Sequence, residues 1–171
     1  MLALVVAAAS PVFVAAADNA TQGGVSLRAG MGDHFTRFEL AWESPSFWNY
    51  QFSGNRGKLE LFAELGAAYW KADGARYPSD AWQFSAIPML RWTVRQRYYL
   101  QAGVGPTVFN RTRFAGERIG SAFQFGSHLE LGAFISSSSR LGLRVSHVSN
   151  AGIERPNPGL EVFQLIYTYQ Y

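Results

Sequence analysis

His147 and Ser149 stand two residues apart, and Glu161 follows in the next extended segment. A serine hydroxyl is a weak nucleophile until a neighbouring base takes its proton, and histidine is the usual base. A carboxylate on the second ring nitrogen orients the imidazole and stabilises the imidazolium. In this set Ser149 would attack, His147 would carry the proton and Glu161 would hold the ring. The reaction class is acyl-ester hydrolysis through an acyl-serine. Its anionic tetrahedral intermediate needs hydrogen-bond donors. The loop Asn150-Ala151-Gly152 supplies backbone N–H groups directly after the nucleophile, and Asn157 supplies a side-chain amide. Neither a metal nor a cofactor is expected, because the histidine provides the base and the loop the donors.

The trio works only if one element presents all three, and side-chain parity supplies that element. On an extended strand, alternate residues share a face. Leu141, Leu143 and Val145 lead to His147 and Ser149 on one parity. Read backward from Tyr171, the series Tyr169, Tyr167, Leu165, Phe163 ends at Glu161 on one parity as well. Three polar groups therefore sit at the end of two apolar faces. Ionisable residues on a membrane-directed face are functional candidates by default.

The same period runs through most of the chain. Leu59, Leu61, Ala63, Leu65, Ala67 and Tyr69 form one face, and Trp82, Phe84, Ala86, Pro88, Leu90, Trp92 and Val94 another. Further alternating runs start at Tyr98, Phe125, Leu141 and Phe163, with two earlier ones near residues 25–31 and 38–42. The count is eight. Arg28, Arg37, Glu39, Glu43, Glu60, Glu64, Arg91, Glu130 and Arg144 all fall opposite the apolar residues, where they can pair inside a narrow lumen. Trp42, Tyr69, Trp82, Trp92, Tyr98 and Tyr171 fall at strand ends, as an interfacial girdle would. Runs of about ten residues match a tilted bilayer crossing. The expected fold is all-β, an eight-stranded antiparallel transmembrane β-barrel of the outer membrane spanning residues 18–171.

Connections alternate in length. Arg95–Arg97 and Ser136–Arg140 are tight, whereas 71–81, 110–118 and 150–159 are long. Short periplasmic turns and longer outer loops are the usual asymmetry, which places 150–159 outside and the site toward the outer leaflet. The link from Ser44 to Gly57 is long for a periplasmic one and reads as a Trp-containing flap or short helix.

Composition agrees with a membrane barrel. Of 171 residues, only 16% are charged and 15% are aromatic, against about a quarter charged in soluble domains. The apolar segment 1–17, ending in small residues, reads as a cleavable signal peptide without its basic start. The net charge of +3 is scattered, so no nucleic-acid partner is expected. His34 reads as a loop residue, His128 as a lumen residue, and Glu154 and Arg155 as solvated loop charges. Phe125 shares the outward face and could flank an acyl chain.

The segments His147-Val148-Ser149-Asn150-Ala151-Gly152 and Pro156-Asn157-Pro158-Gly159-Leu160-Glu161 resemble the signature of the lipid A 3-O-deacylases of the PagL type. Val148 and Pro158 depart from that pattern. The resemblance implies an eight-stranded outer-membrane barrel that removes the ester-linked acyl chain at position 3 of lipid A. It implies His147, Ser149 and Glu161 as the triad, Phe125 as a functional aromatic, Asn150 after the serine, and Asn157 as an oxyanion element. Lipid A and the outer membrane are then the expected partners, with the barrel a monomer or homodimer. Two other readings remain: a palmitoyl-transferring barrel, which would need an apolar lumen, and a structural or adhesive barrel without chemistry.

Overall fold

Alternation of this kind closes into a cylinder, because a sheet in lipid cannot leave an edge unpaired. The computed structural model describes residues 22–171; the expected signal segment, 1–17, lies outside them. The strands are β1 (Gly24–Gly32), β2 (Phe35–Glu43), β3 (Trp48–Gln51), β4 (Lys58–Ala72), β5 (Asp80–Val94), β6 (Tyr98–Phe109), β7 (Arg113–Phe114), β8 (Glu117–Arg118), β9 (Phe123–Phe134), β10 (Ser139–Ser149) and β11 (Leu160–Gln170). Eight of them pair antiparallel in the ring β1-β2-β4-β5-β6-β9-β10-β11, and the β1–β11 and β2–β4 pairings complete the closure. At one end lie the tight turns and both termini of the barrel. The other end carries the links 73–79, 110–122 and 150–159, together with the Asp33-His34 turn.

Parity holds around the ring. Leu27, Phe38, Leu65, Phe84, Leu100, Leu131, Leu143 and Leu165 are exposed on the outer wall. Inside, Glu64 accepts two hydrogen bonds from Arg28 at 2.7 Å and two from Arg144 at 2.8 Å. Arg144 Nε also donates to Glu130 at 2.8 Å, and the Tyr99 hydroxyl donates to the same carboxylate at 2.6 Å. Glu43 joins Arg91, at 2.7 Å, to Arg140. These groups are buried, and their desolvation is tolerable because each charge meets an opposite one with hydrogen bonds. Toward the loop end the filling turns apolar. Phe35, Trp70, Phe109 and Phe114 pack at centroid separations of 5.1–6.0 Å, with Val148, Leu160 and Val162 against them.

Some local expectations need correction. Arg140 was expected in the turn after β9, but β10 begins at Ser139 and Arg140 is a buried lumen residue bound to Glu43. Glu60 keeps its expected parity, opposite Arg91 near the start of β4, half-buried and 3.0 Å from Lys58. The link expected at 110–118 runs to Ala122 and contains the β7–β8 hairpin. Between Ser44 and Gly57 the expected Trp-containing flap or short helix is a strand followed by a helical turn. After Pro45 it continues along β4 as β3 and then turns through a 3-10 segment, Gly54–Arg56. Ser44 bridges the break, since its N–H donates to Ala63 O at 2.8 Å and its hydroxyl accepts from Ala63 N at 2.9 Å. Across Pro45 five residues of this strand advance against three of β4, from Glu43 opposite Glu64 to Trp48 opposite Leu61, a bulge of the kind where proline is found in sheets.

Candidate active site

The last three residues of β10 before its loop, and the start of β11, carry the trio. His147 lies directly opposite Glu161 in the β10–β11 register, and Ser149 directly opposite Phe125 in the β9–β10 register. Their inward neighbours Val148, Leu160 and Val162 are buried in the aromatic plug, which fixes the two strands from beneath. His147 and Glu161 therefore face outward, with side chains 48% and 73% exposed. Directly below them on the wall is the pair Val145–Phe163, and below that Leu143–Leu165.

His147 Nδ1 lies 3.8 Å from Glu161 Oε1. That is ion-pair range and too long for a hydrogen bond, so a small rotation of either exposed side chain must close it. Ser149 is half-buried and on the same face as His147; among the described residues its hydroxyl makes no hydrogen bond. Apo sites often hold such contacts long until substrate arrives. Phe125 is half-buried beside Ser149, and its ring meets Phe123 edge-on at 5.1 Å.

The loop after Ser149 is built around Asn150, which is fully buried. Its Nδ2 donates to Glu154 O at 2.9 Å and to Ile119 O at 3.4 Å, while its Oδ1 accepts from the Gly152 N–H at 2.9 Å. Its own N–H donates to Asn157 Oδ1 at 3.0 Å. The backbone donors after the serine are thus not equivalent. Those of Asn150 and Gly152 are engaged, whereas the Ala151 N–H and the Asn157 Nδ2 group make no hydrogen bond among the described residues. Ala151 takes a left-handed conformation, φ 54°, which turns the chain out of β10 into the loop.

Of the other residues weighed from sequence, His34 lies in the β1–β2 turn, 3.2 Å from Asp33. His128 is buried in the lumen, where Nδ1 contacts Ser146 Oγ at 2.7 Å. Glu154 and Arg155 are exposed loop charges. Among the described residues no cluster of three or more His, Cys, Asp or Glu side chains could hold a metal. Sequence reasoning passed over Gly159, which borders the His147 ring, and Gly120, whose missing Cβ leaves room for the Asn150 amide. Their positive φ values of 74° and 82° have no sequence signal beyond glycine itself.

Comparison with known proteins adds a second line of evidence. The sequence profile of the family described as lipid A 3-O-deacylase (PagL) matches residues 36–170. The chain is 59% identical over 151 residues to the lipid A deacylase PagL of Bordetella bronchiseptica, covering 88% of this chain and 85% of that one. It is 26% identical to the protein of the same name from Pseudomonas aeruginosa, covering 95% and 93%. A crystal structure described as the outer membrane enzyme PagL superposes with a TM-score of 0.71 at 25% identity, covering 85% of this chain and 98% of that one. The matched region contains the whole of β10 and β11 with the His147–Glu161 pair and Ser149, and the chain belongs to the lipid A 3-O-deacylase (PagL) family.

Proposed function

We propose that this chain is an outer-membrane esterase that removes the acyl chain ester-linked at position 3 of lipid A, using Ser149, His147 and Glu161 on the lipid-facing side of its outer rim. The observation that carries the reading is the outward, cross-strand pairing of His147 with Glu161 beside a serine of the same face. A charge on the lipid face costs roughly 2–4 kcal/mol at the midplane and less at the interface, so such a pair belongs where ester groups lie.

In the reaction, Ser149 Oγ attacks the ester carbonyl as His147 takes its proton, and Glu161 stabilises the imidazolium through Nδ1. The Ala151 N–H and the Asn157 amide receive the oxyanion, while Asn150 holds both in place through its side chain and its own N–H. Collapse of the intermediate expels the sugar 3-oxygen, which takes the proton from His147, and leaves an acyl-serine that water hydrolyses. Ion pairs fill the lower lumen and packed aromatic rings fill its loop end, which argues against the acyltransferase reading in which a donor chain lies inside. The loop end, and with it the site, is assigned to the outer leaflet. Mass spectrometry of lipid A from cells making the wild-type protein should show loss of one 3-hydroxy fatty acid, and Ser149→Ala should restore the intact form. An unchanged product pattern in that variant would remove Ser149 as the nucleophile.

A further inference from the structure

The positive charge in excess on this chain gathers at the turn end of the barrel. Across residues 44–60 and 93–98 there, four Lys and Arg side chains meet one acid, Glu60. Across 33–34, 71–80, 110–122 and 150–161, at the loop end, six meet six. Glu60 is taken by Lys58 at 3.0 Å. Arg56, Arg95 and Arg97 are exposed and form no ion pair among the described residues.

Two of these arginines flank a depression of about 510 Å³, lined by Phe52, Arg56, Leu59, Trp92, Val94 and Arg95. Its size falls within the roughly 300–1,000 Å³ of small-ligand sites. Leu59 and Trp92 are partners in the β4–β5 register, and the pair Leu61–Leu90 continues the same outer wall toward mid-barrel. The floor is therefore apolar and runs along the strands. Arg56 and Arg95 lie in the turns just beyond those strands, so the cations stand at its lip.

Backbone and side-chain contacts hold this shape. Trp92 Nε1 donates to Arg56 O at 2.9 Å, which fixes the 3-10 turn on β5. Gly57 passes so close to Thr93 O that a Cβ there would collide. Arg56 donates from Nε to Ser53 O at 3.1 Å and from Nη2 to Ser53 Oγ at 2.6 Å, which leaves Nη1 free to turn outward. Beside it, Trp48 and Tyr50 of β3 are exposed opposite Leu61 and Leu59.

We infer that this recess binds an anionic phospholipid, its phosphate between Arg56 and Arg95 and one acyl chain over Leu59 and Trp92. Guanidinium suits the head group because its fork of N–H donors matches phosphate oxygens. A net negative head group is favoured over a zwitterionic one. The choline or ethanolamine cation would meet three arginines and no free acidic side chain in these turns. Basic residues near an anionic leaflet attract it, and Trp and Tyr settle at the same depth. Binding needs the barrel and not the reaction proposed above; with the loop end assigned to the outer leaflet, the lipid comes from the inner one.

The test places purified full-length protein in phosphatidylcholine nanodiscs containing a rising fraction of brominated lipid, either phosphatidylglycerol or phosphatidylcholine. Tryptophan fluorescence is the readout, because bromine quenches rings that the chain touches. Phosphatidylglycerol should reach half-maximal quenching at a mole fraction roughly tenfold lower. Arg56→Gln combined with Arg95→Gln should abolish that difference, with circular dichroism checking the fold. Equal quenching by the two lipids in wild-type protein would overturn the site, and needs no variant to read. So would a difference that survives undiminished in the folded double variant or in Trp92→Phe. A difference erased by millimolar inorganic phosphate at constant ionic strength would make this a free-anion site and overturn the lipid. Protein that shows the difference yet releases no fatty acid from lipid A would defeat the proposed reaction and leave this site standing.

Discussion

The backbone of Gly159 lies against the imidazole of His147: a Cβ built at residue 159 would stand 2.7 Å from Cε1, 3.4 Å from Nε2 and 3.6 Å from Nδ1. The glycine also has φ 74°, so it serves two needs at one position. It lets the chain turn into β11, and it leaves the ring room to lie beside Glu161.

Gly159→Ala should therefore displace the imidazole and lower kcat on the order of a hundredfold, since small misplacements of a reacting group carry such costs. Gly116 provides the matched control. Its φ is 90°, and a Cβ there meets nothing within 4 Å, so Gly116→Ala carries the backbone strain without the ring contact. Steady-state deacylation kinetics of the two variants separate them. Equal losses would trace the effect to loop strain instead.

In the proposed mechanism Asn157 has two duties that one substitution can split. In Asn157→Asp a carboxylate oxygen still accepts from the Asn150 N–H, but the amide donor is gone. Removing an oxyanion donor costs about 10²–10³ in kcat. The expected outcome is that loss with an unchanged melting temperature, read by single-turnover assay and thermal scan.

Asn150→Ala leaves the Glu154 carbonyl, the Ile119 carbonyl and the Gly152 N–H without their partner. Unmade buried hydrogen bonds cost roughly 1–3 kcal/mol each, and here the loss is local. Limited proteolysis should cut within residues 150–159 faster than in the wild type, and activity should fall, while the barrel unfolds at the same temperature. Wild-type cleavage rates would show that the clamp contributes nothing.

Glu64→Ala acts on the opposite end of the problem. It strips Arg28 and Arg144 of the carboxylate that both grip in two-point fashion. Breaking a buried pair by removing one partner costs about 3–5 kcal/mol. Urea unfolding from detergent should register that loss. The specific activity of molecules that stay folded should change little, because the lumen and the outer face are separated by the wall.

Much of this was legible from residue order because one rule, alternate sides on a strand, decides both what fills the lumen and what faces outward. The same rule that put Arg28 and Glu64 inside put His147 and Glu161 outside. Where that rule meets a turn, it fails. Arg140 sits one residue inside β10, and its pairing with buried Thr168 and its contact with Glu43 place its side chain in the lumen. The path from Ser44 to Gly57 depended on a side-chain bridge across a proline, which composition does not show. Nor does a glycine in sequence announce whether its missing Cβ matters; at 159 a neighbouring ring decides it, and at 116 nothing does.

The packed interior has one more consequence. The lumen is filled, so under the proposed lipid-facing placement a molecule meets His147 by sliding in sideways, along the plane of the lipid. Encounter is then two-dimensional, and turnover should follow the mole fraction of substrate in the surface, so that diluting each micelle with inert detergent slows the enzyme even when the amounts per millilitre stay fixed.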